Sequence, residues 1–155
     1  MADASFRRAT PADVTVLTDI AEQAYRIYLD RMDRPPAPML ADYGRLIEDS
    51  EVWLVETLDG VAGFIELRER PDYLEAANLA VPPDSQGQGL GRQLVELAER
   101  RAVEQGHTEL RLYTNEVMTE NLSFYRHLGF VETGRREQDG YRRVFLSRMI
   151  TPRSA

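Results

Sequence analysis

An apolar run that breaks on two prolines and then meets three alternating glycines constrains this chain more than any other stretch. It reads Asn78-Leu-Ala-Val-Pro-Pro-Asp-Ser-Gln86-Gly-Gln-Gly-Leu-Gly-Arg92. Proline cannot donate to a strand ladder, so the strand ahead of Pro82 and Pro83 must stop pairing there. From about Leu90 to Gln105 the apolar positions recur with helical period, and Gly106 follows as a C-cap. The segment is therefore a strand, a turn and a helix. Glycines at 87, 89 and 91 let the backbone approach a ligand closely, because no Cβ intervenes. A helix N-terminus adds unpaired N–H groups and the positive end of a dipole. Together these suit a phosphorylated ligand; the plainer alternative is an ordinary strand-to-helix turn.

The glycine spacing separates the familiar phosphate loops. A dinucleotide fingerprint needs G-x-G-x-x-G, but the sixth position from Gly87 is Arg92 and from Gly89 is Leu94. A Walker loop needs a lysine, and all 19 basic residues here are arginine. What remains is Gln86-x-x-Gly89-x-Gly91.

Periodicity and turn residues order the rest. Phe6–Thr10 reads as a strand, and Pro11 and Asp13 open a helix carrying Val14, Leu17, Ile20, Ala21, Ala24 and Tyr28. Prolines 35, 36 and 38 make Arg31–Pro38 a loop, and a second helix runs from about Leu40 to Asp49. Glu51–Thr57 and Val61–Leu67 alternate around Asp59-Gly60, a hairpin turn. Tyr73–Val81 is the fourth strand and Glu109–Thr114 the fifth. Thr119–Leu128 is a helix with Thr119 as its cap, closed by Gly129. Phe130–Gln138 and Tyr141–Met149 form a hairpin around Asp139-Gly140. No repeat or linker interrupts this order, so residues 1–155 read as one domain with a loose tail after about 151. The order implies a mixed, mostly antiparallel seven-stranded sheet with helices on both faces.

Composition narrows the function. With no cysteine, disulfides, thiolate metal sites and cysteine nucleophiles are excluded, and two isolated histidines make no zinc site, so no metal is expected. A net charge of −7 argues against non-specific nucleic-acid binding. No run approaches the roughly 18 apolar residues of a membrane span, and Met1-Ala-Asp-Ala-Ser lacks the features of a signal peptide. The simplest expectation is a cytoplasmic protein.

Gln86-x-x-Gly89-x-Gly91 between a strand and a helix resembles the acetyl-coenzyme A loop of the GCN5-related N-acetyltransferases (GNAT). The element order is similar to that fold along nearly the whole chain. The segment Asn121-Leu-Ser-Phe-Tyr125-Arg-His-Leu-Gly129-Phe130 resembles the family's Tyr-x-x-x-Gly-Phe ending. The resemblance implies transfer of acetyl from acetyl-CoA to a primary amine by direct attack, on a sheet splayed between its fourth and fifth strands. Its other implication is a cradle kept in a non-catalytic acyl-CoA sensor.

By the same resemblance, the backbone of Leu79, Ala80 and Val81 pairs with pantetheine, and a backbone N–H near Val81 faces the developing oxyanion. Gln86, Gly87, Gln88, Gly89, Leu90, Gly91 and Arg92 hold the pyrophosphate. Asn115, Asn121 and Phe124 flank the cofactor arm, and Tyr125 is the general acid for the leaving thiolate. Family members often carry asparagine seven positions before this tyrosine, where this chain has Met118, so Asn115 or Asn121 takes over that duty. Glu75 is the candidate base; on strict alternation it shares the face of Val81, and it reads equally as a solvated residue at a strand start. Glu66 and Asn78 are weaker candidates. Tyr25, Tyr28, Arg31 and Met39, with Asp33 and Arg34, form the substrate side, for a small-molecule amine or a peptide or protein N-terminus; individually they read as core or solvated turn. The final hairpin and the sheet edge are candidate homodimer surfaces.

Overall fold

Seven runs pair into one sheet in a computed structural model that describes residues 4–150; the tail expected to be loose lies outside them. The strands are β1 (Ser5–Arg8), β2 (Glu51–Thr57), β3 (Gly60–Glu69), β4 (Leu74–Ala80), β5 (Glu109–Asn115), β6 (Val131–Gln138) and β7 (Tyr141–Met149), in spatial order β1-β2-β3-β4-β5-β7-β6. The helices are α1 (Val14–Tyr25), α2 (Ala37–Leu40), α3 (Tyr43–Asp49), α4 (Leu90–Glu104) and α5 (Thr119–His127). Only β4 and β5 are parallel neighbours. Such a pair needs a crossover, and α4 supplies it. No helix among the described residues is long and apolar enough to cross a membrane.

Period-two alternation sends the sheet's side chains to two cores. Phe64, Leu54 and Ala80 meet Leu17, Ile20 and Tyr25 of α1 and Tyr43 of α3 on one face. Ile65, Leu67, Leu110 and Leu146 meet Leu90, Leu94 and Ala98 of α4 and Leu122 of α5 on the other. The mixed sheet with helices on both faces is thus as its element order implies.

Several boundaries differ from the sequence reading: β1 is Ser5–Arg8 and not Phe6–Thr10, α1 ends at Tyr25 ahead of Tyr28, and three more differ for local reasons. Arg31–Pro38 is not entirely loop, because α2 begins at Ala37 and Pro38 sits in its first turn, where a missing N–H is no loss. The next helix starts at Tyr43, since the Asp42 carboxylate accepts from the Arg45 N–H as an N-cap. The first hairpin turns on Leu58-Asp59, with Gly60 opening β3 at φ +109°. Asp139-Gly140 does form the second turn, with φ of 55° and 83°, as a type I′ turn requires.

At the start of α1 the Asp13 carboxylate accepts the Thr10 N–H at 2.7 Å and is gripped by both terminal nitrogens of Arg7 at 2.9 Å. The Arg7 hydrogen bonds bring its pKa from 3.8 down to about 2. A folded-state pKa below the unfolded one gives stability that is complete above about pH 4 and is lost as pH falls toward 2. Asp13→Asn is expected to cost about 2 kcal/mol at neutral pH. Denaturant midpoints should show the gap from the parent protein steady above about pH 4 and shrinking as pH falls toward about 2; a gap that stays constant through that fall would mean the pair contributes nothing through its charge.

One irregularity positions the site. The β3–β4 register steps from Glu66↔Asn78 to Leu67↔Ala76, leaving Ala77 as an extra residue. This bulge reverses the alternation, so Glu75 shares a face with Asn78 and Ala80 and not with Val81. Pairing of β4 with β5 is confined to Leu74↔Leu110 and Glu75↔Arg111. The two strands therefore part at the bulge, ahead of Pro82 and Pro83, which end only the ladder to β3.

Candidate active site

The gap between the parted strands is a cavity of about 220 Å³ lined by β4, β5, α5 and the segment before α3. Tyr125 reaches it from α5, wedged edge-on between Phe124 and Phe130 at 5.2 and 5.6 Å between ring centroids. Gly129, at φ +92°, ends the helix so that the Phe130 N–H returns to the Tyr125 carbonyl at 3.1 Å. The Tyr125 hydroxyl makes no hydrogen bond to a described residue, and burial holds its pKa well above the ordinary 10, so it is protonated at neutral pH.

The glycines of the turn have two distinct tasks. Gly87 and Gly89 take φ of 85° and 78°, and Gly89 is the N-cap of α4 with no side chain covering the helix's first N–H groups. Gly91 leaves room for a neighbour, since a Cβ there would lie 3.0 Å from Phe124 Cζ and crowd that ring. The Gln86 side chain braces the turn by donating to the Val81 carbonyl at 3.0 Å. Gln88 and Arg92 are exposed, and Arg92 makes no ion pair among the described residues.

Leu79, Asn78, Asn115 and Asn121 line the cavity. Tyr25 donates its hydroxyl to the Leu79 carbonyl at 2.9 Å, while the Asn115 Oδ1 accepts the Val117 N–H at 3.0 Å and folds the turn before α5. Met118 is buried at the position where the resemblance leads one to look for asparagine, its sulfur accepting from Thr114 Oγ1. It, rather than Thr119, is the N-cap residue of α5, with no side-chain cap bond.

Of the four substrate-side residues, Tyr25 alone lines the cavity. Arg31 grips Glu120 with 2.6 and 2.7 Å bonds and lies over the Tyr28 ring, stapling the segment that follows α1 to α5. Burial pushes the Tyr28 hydroxyl up to about 12. Met39 is half-buried against the core.

The two glutamates separate. Glu75 is tied to Arg70 at 2.7 Å and lies in a neighbouring groove over β5 and β7, outside the Tyr125 cavity. Glu66 is 1% exposed and lines the Tyr125 cavity. Its Oε2 accepts from Ser50 Oγ at 2.9 Å and Arg68 Nε at 2.7 Å, leaving Oε1 without a bond to a described residue. Both carboxylates share a face, but Glu75 stands where β4 still pairs with β5, whereas Glu66 stands opposite Asn78, where the two strands have parted. Arg143 also lines the cavity and escaped the sequence reading. Its one signal is the alternation Tyr141-x-Arg143-x-Phe145, which puts a charge on an otherwise aromatic face. No cluster of metal-ligating side chains occurs among the described residues.

A family model described as an acetyltransferase (GNAT) domain matches residues 48–132. The peptidyl-lysine N-acetyltransferase YjaB of Salmonella typhimurium is 31% identical over 122 residues, covering 78% of this chain and 71% of that protein. The mycothiol acetyltransferase of Jonesia denitrificans is 39% identical over 72 residues, which span 45% of this chain and only 23% of that longer protein. The fold matches the PaiA N-acetyltransferase of Thermoplasma acidophilum, solved with coenzyme A, at a TM-score of 0.78 and 19% identity over 95% of this chain and 99% of that one. It also matches the ribosomal-protein-S18-alanine N-acetyltransferase of Escherichia coli at a TM-score of 0.73 and 22% identity, over 98% and 97% of the two chains.

Proposed function

Because the chain belongs to the GNAT acetyltransferases, we propose that it moves an acetyl group from acetyl-CoA to a primary amine by direct attack within a ternary complex. One observation carries the reading: Tyr125, its hydroxyl unbonded, lines the gap between the parted strands, and the uncapped, glycine-lined start of α4 packs through Gly91 against the neighbouring Phe124.

The residues present fit acetyl-CoA. Left-handed Gly87 and Gly89, with the open first turn of α4, suit the pyrophosphate. The unpaired edge of Leu79, Ala80 and Val81 suits pantetheine by strand-like pairing, and the Leu79 carbonyl keeps one lone pair beside the Tyr25 bond. Asn115, Asn121 and Phe124 border the arm. The bound thioester supplies the electrophile. This chain's own residues move the protons. Glu66, in place of Glu75, takes one from the incoming ammonium, and Arg68 and Ser50 hold its carboxylate in position. Tyr125 delivers one to the departing thiolate; burial keeps that proton on the phenol until it is needed. No cysteine is present to form an acyl-enzyme by thiol attack, which supports the direct route.

Thiol release from acetyl-CoA, followed with a thiol-reactive dye across amines, amino acids and peptides, tests this. The protein adds no thiol background. Amine-dependent release is expected. Binding of acetyl-CoA with no release in the presence of any acceptor would favour a sensor.

A further inference from the structure

Arg143 is a buried cation without an adequate anion. Its side chain is 7% exposed and lies over the Tyr113 ring at 4.1 Å, with Tyr141 at 5.6 Å. Nη1 donates to Gln138 Oε1 at 2.7 Å and to Asp139 Oδ2 at 3.2 Å. Asp139 is 76% exposed, so water screens most of its charge. Nε and Nη2 make no hydrogen bond to a described residue. A desolvated guanidinium is costly unless paired, and its remaining N–H groups belong to a side chain that lines the Tyr125 cavity. Arg68 lines the same cavity and spends its Nε on Glu66. Two arginines and one carboxylate thus line this cavity, in a chain whose net charge is −7.

The cavity rims are also joined. Pro36 and Pro38 line one side, Tyr141 and Arg143 the other. Across them the Tyr141 hydroxyl donates to the Pro35 carbonyl at 2.7 Å. The Arg34 guanidinium lies over Tyr141 at 4.3 Å and donates to the Asp139 carbonyl at 3.2 Å. An extended polypeptide would have to part this strap, whereas a small molecule would not.

We propose that the acceptor is a small amine that also carries a carboxylate, an amino-acid-type molecule whose carboxylate pairs with Arg143 while its amine meets Glu66. This rests on the acetyl-transfer reading. The open fork of Arg143 matches a carboxylate with two parallel hydrogen bonds, and the acceptor's charge completes what Asp139 leaves unneutralised.

The test compares amino acids with their primary amides and decarboxylated amines as acceptors. A preference of about tenfold or more in kcat/KM for the carboxylate is expected, corresponding to one well-made ionic contact. Arg143→Gln should collapse that ratio through KM, and Arg143→Lys, which keeps the charge without the fork, should fall between. In parallel, titration of the coenzyme A-loaded protein with N-acetyl amino acids and the matching neutral acetamides reads the same contact without turnover. Equal use of neutral amines, or better use of a lysine peptide, overturns the proposal. So does a titration indifferent to the carboxylate. Carboxylate-selective, Arg143-dependent binding with no turnover of any amine would support the subsite and reject the transfer reading; turnover without selectivity would do the reverse.

Discussion

Replacing Tyr125 with phenylalanine is expected to lower kcat by about two to four orders of magnitude, the range for loss of a positioned general acid, with little change in acetyl-CoA affinity. The substitution keeps the ring and its edge-on contacts with Phe124 and Phe130. The lost hydroxyl has no hydrogen-bond partner among the described residues, so no buried group is stranded, and stability should move by less than about 1 kcal/mol. A fall in rate would then report chemistry and not unfolding. Single-turnover kinetics beside equilibrium binding separate the two. A further mark is expected in the parent protein's pH profile: burial raises the phenol pKa above 10, so the acid is not lost as the solution passes through the ordinary tyrosine range. A Tyr125→Phe enzyme that turns over normally would move the acid role to another group or to water.

The second large effect is at Glu66. Glu66→Gln should reduce kcat/KM by about a hundredfold or more at neutral pH, because the acceptor ammonium then has no base on the cavity wall. The loss should be repaired progressively as pH rises through the acceptor's own pKa, since a free amine needs no base. Structural damage would not recover in that way. Some damage is expected, because Arg68 loses its charged partner, and the alkaline recovery distinguishes the two contributions. Glu75→Gln is the companion measurement: with its carboxylate paired to Arg70 outside the cavity, it should change the rate by no more than about threefold. If Glu75→Gln abolishes activity and Glu66→Gln does not, the base assignment is reversed.

The unequal standing of these two glutamates shows where the sequence was legible. Asp139-Gly140, the apolar periods and the Gly87–Gly91 turn act locally, so their residue types point directly to hairpin, helix and loop. The sheet follows, because strand alternation and the single long crossover leave few ways to pair. The bulge at Ala77 leaves no such mark: alanine is ordinary in a strand, yet one extra residue reverses every face assignment behind it. Nor does a single sequence reveal that Arg31 is committed to Glu120, a partner 89 positions away. For the same reason Arg143 looks like one of many arginines until folding buries it between two tyrosines.

The contact between Gly91 and Phe124 ties together parts of the site that are far apart in the chain. Gly91 belongs to the turn suited to pyrophosphate, and Phe124 stands one residue before Tyr125. With 3.0 Å between the place of a Cβ at Gly91 and Phe124 Cζ, the Phe124 ring sits where even a methyl group at Gly91 would crowd it. Under the proposed mechanism, the turn that would hold the donor and the helix that carries the acid therefore share one contact. A larger residue at either position is expected to be felt at the other, through a shift of the Phe124 ring.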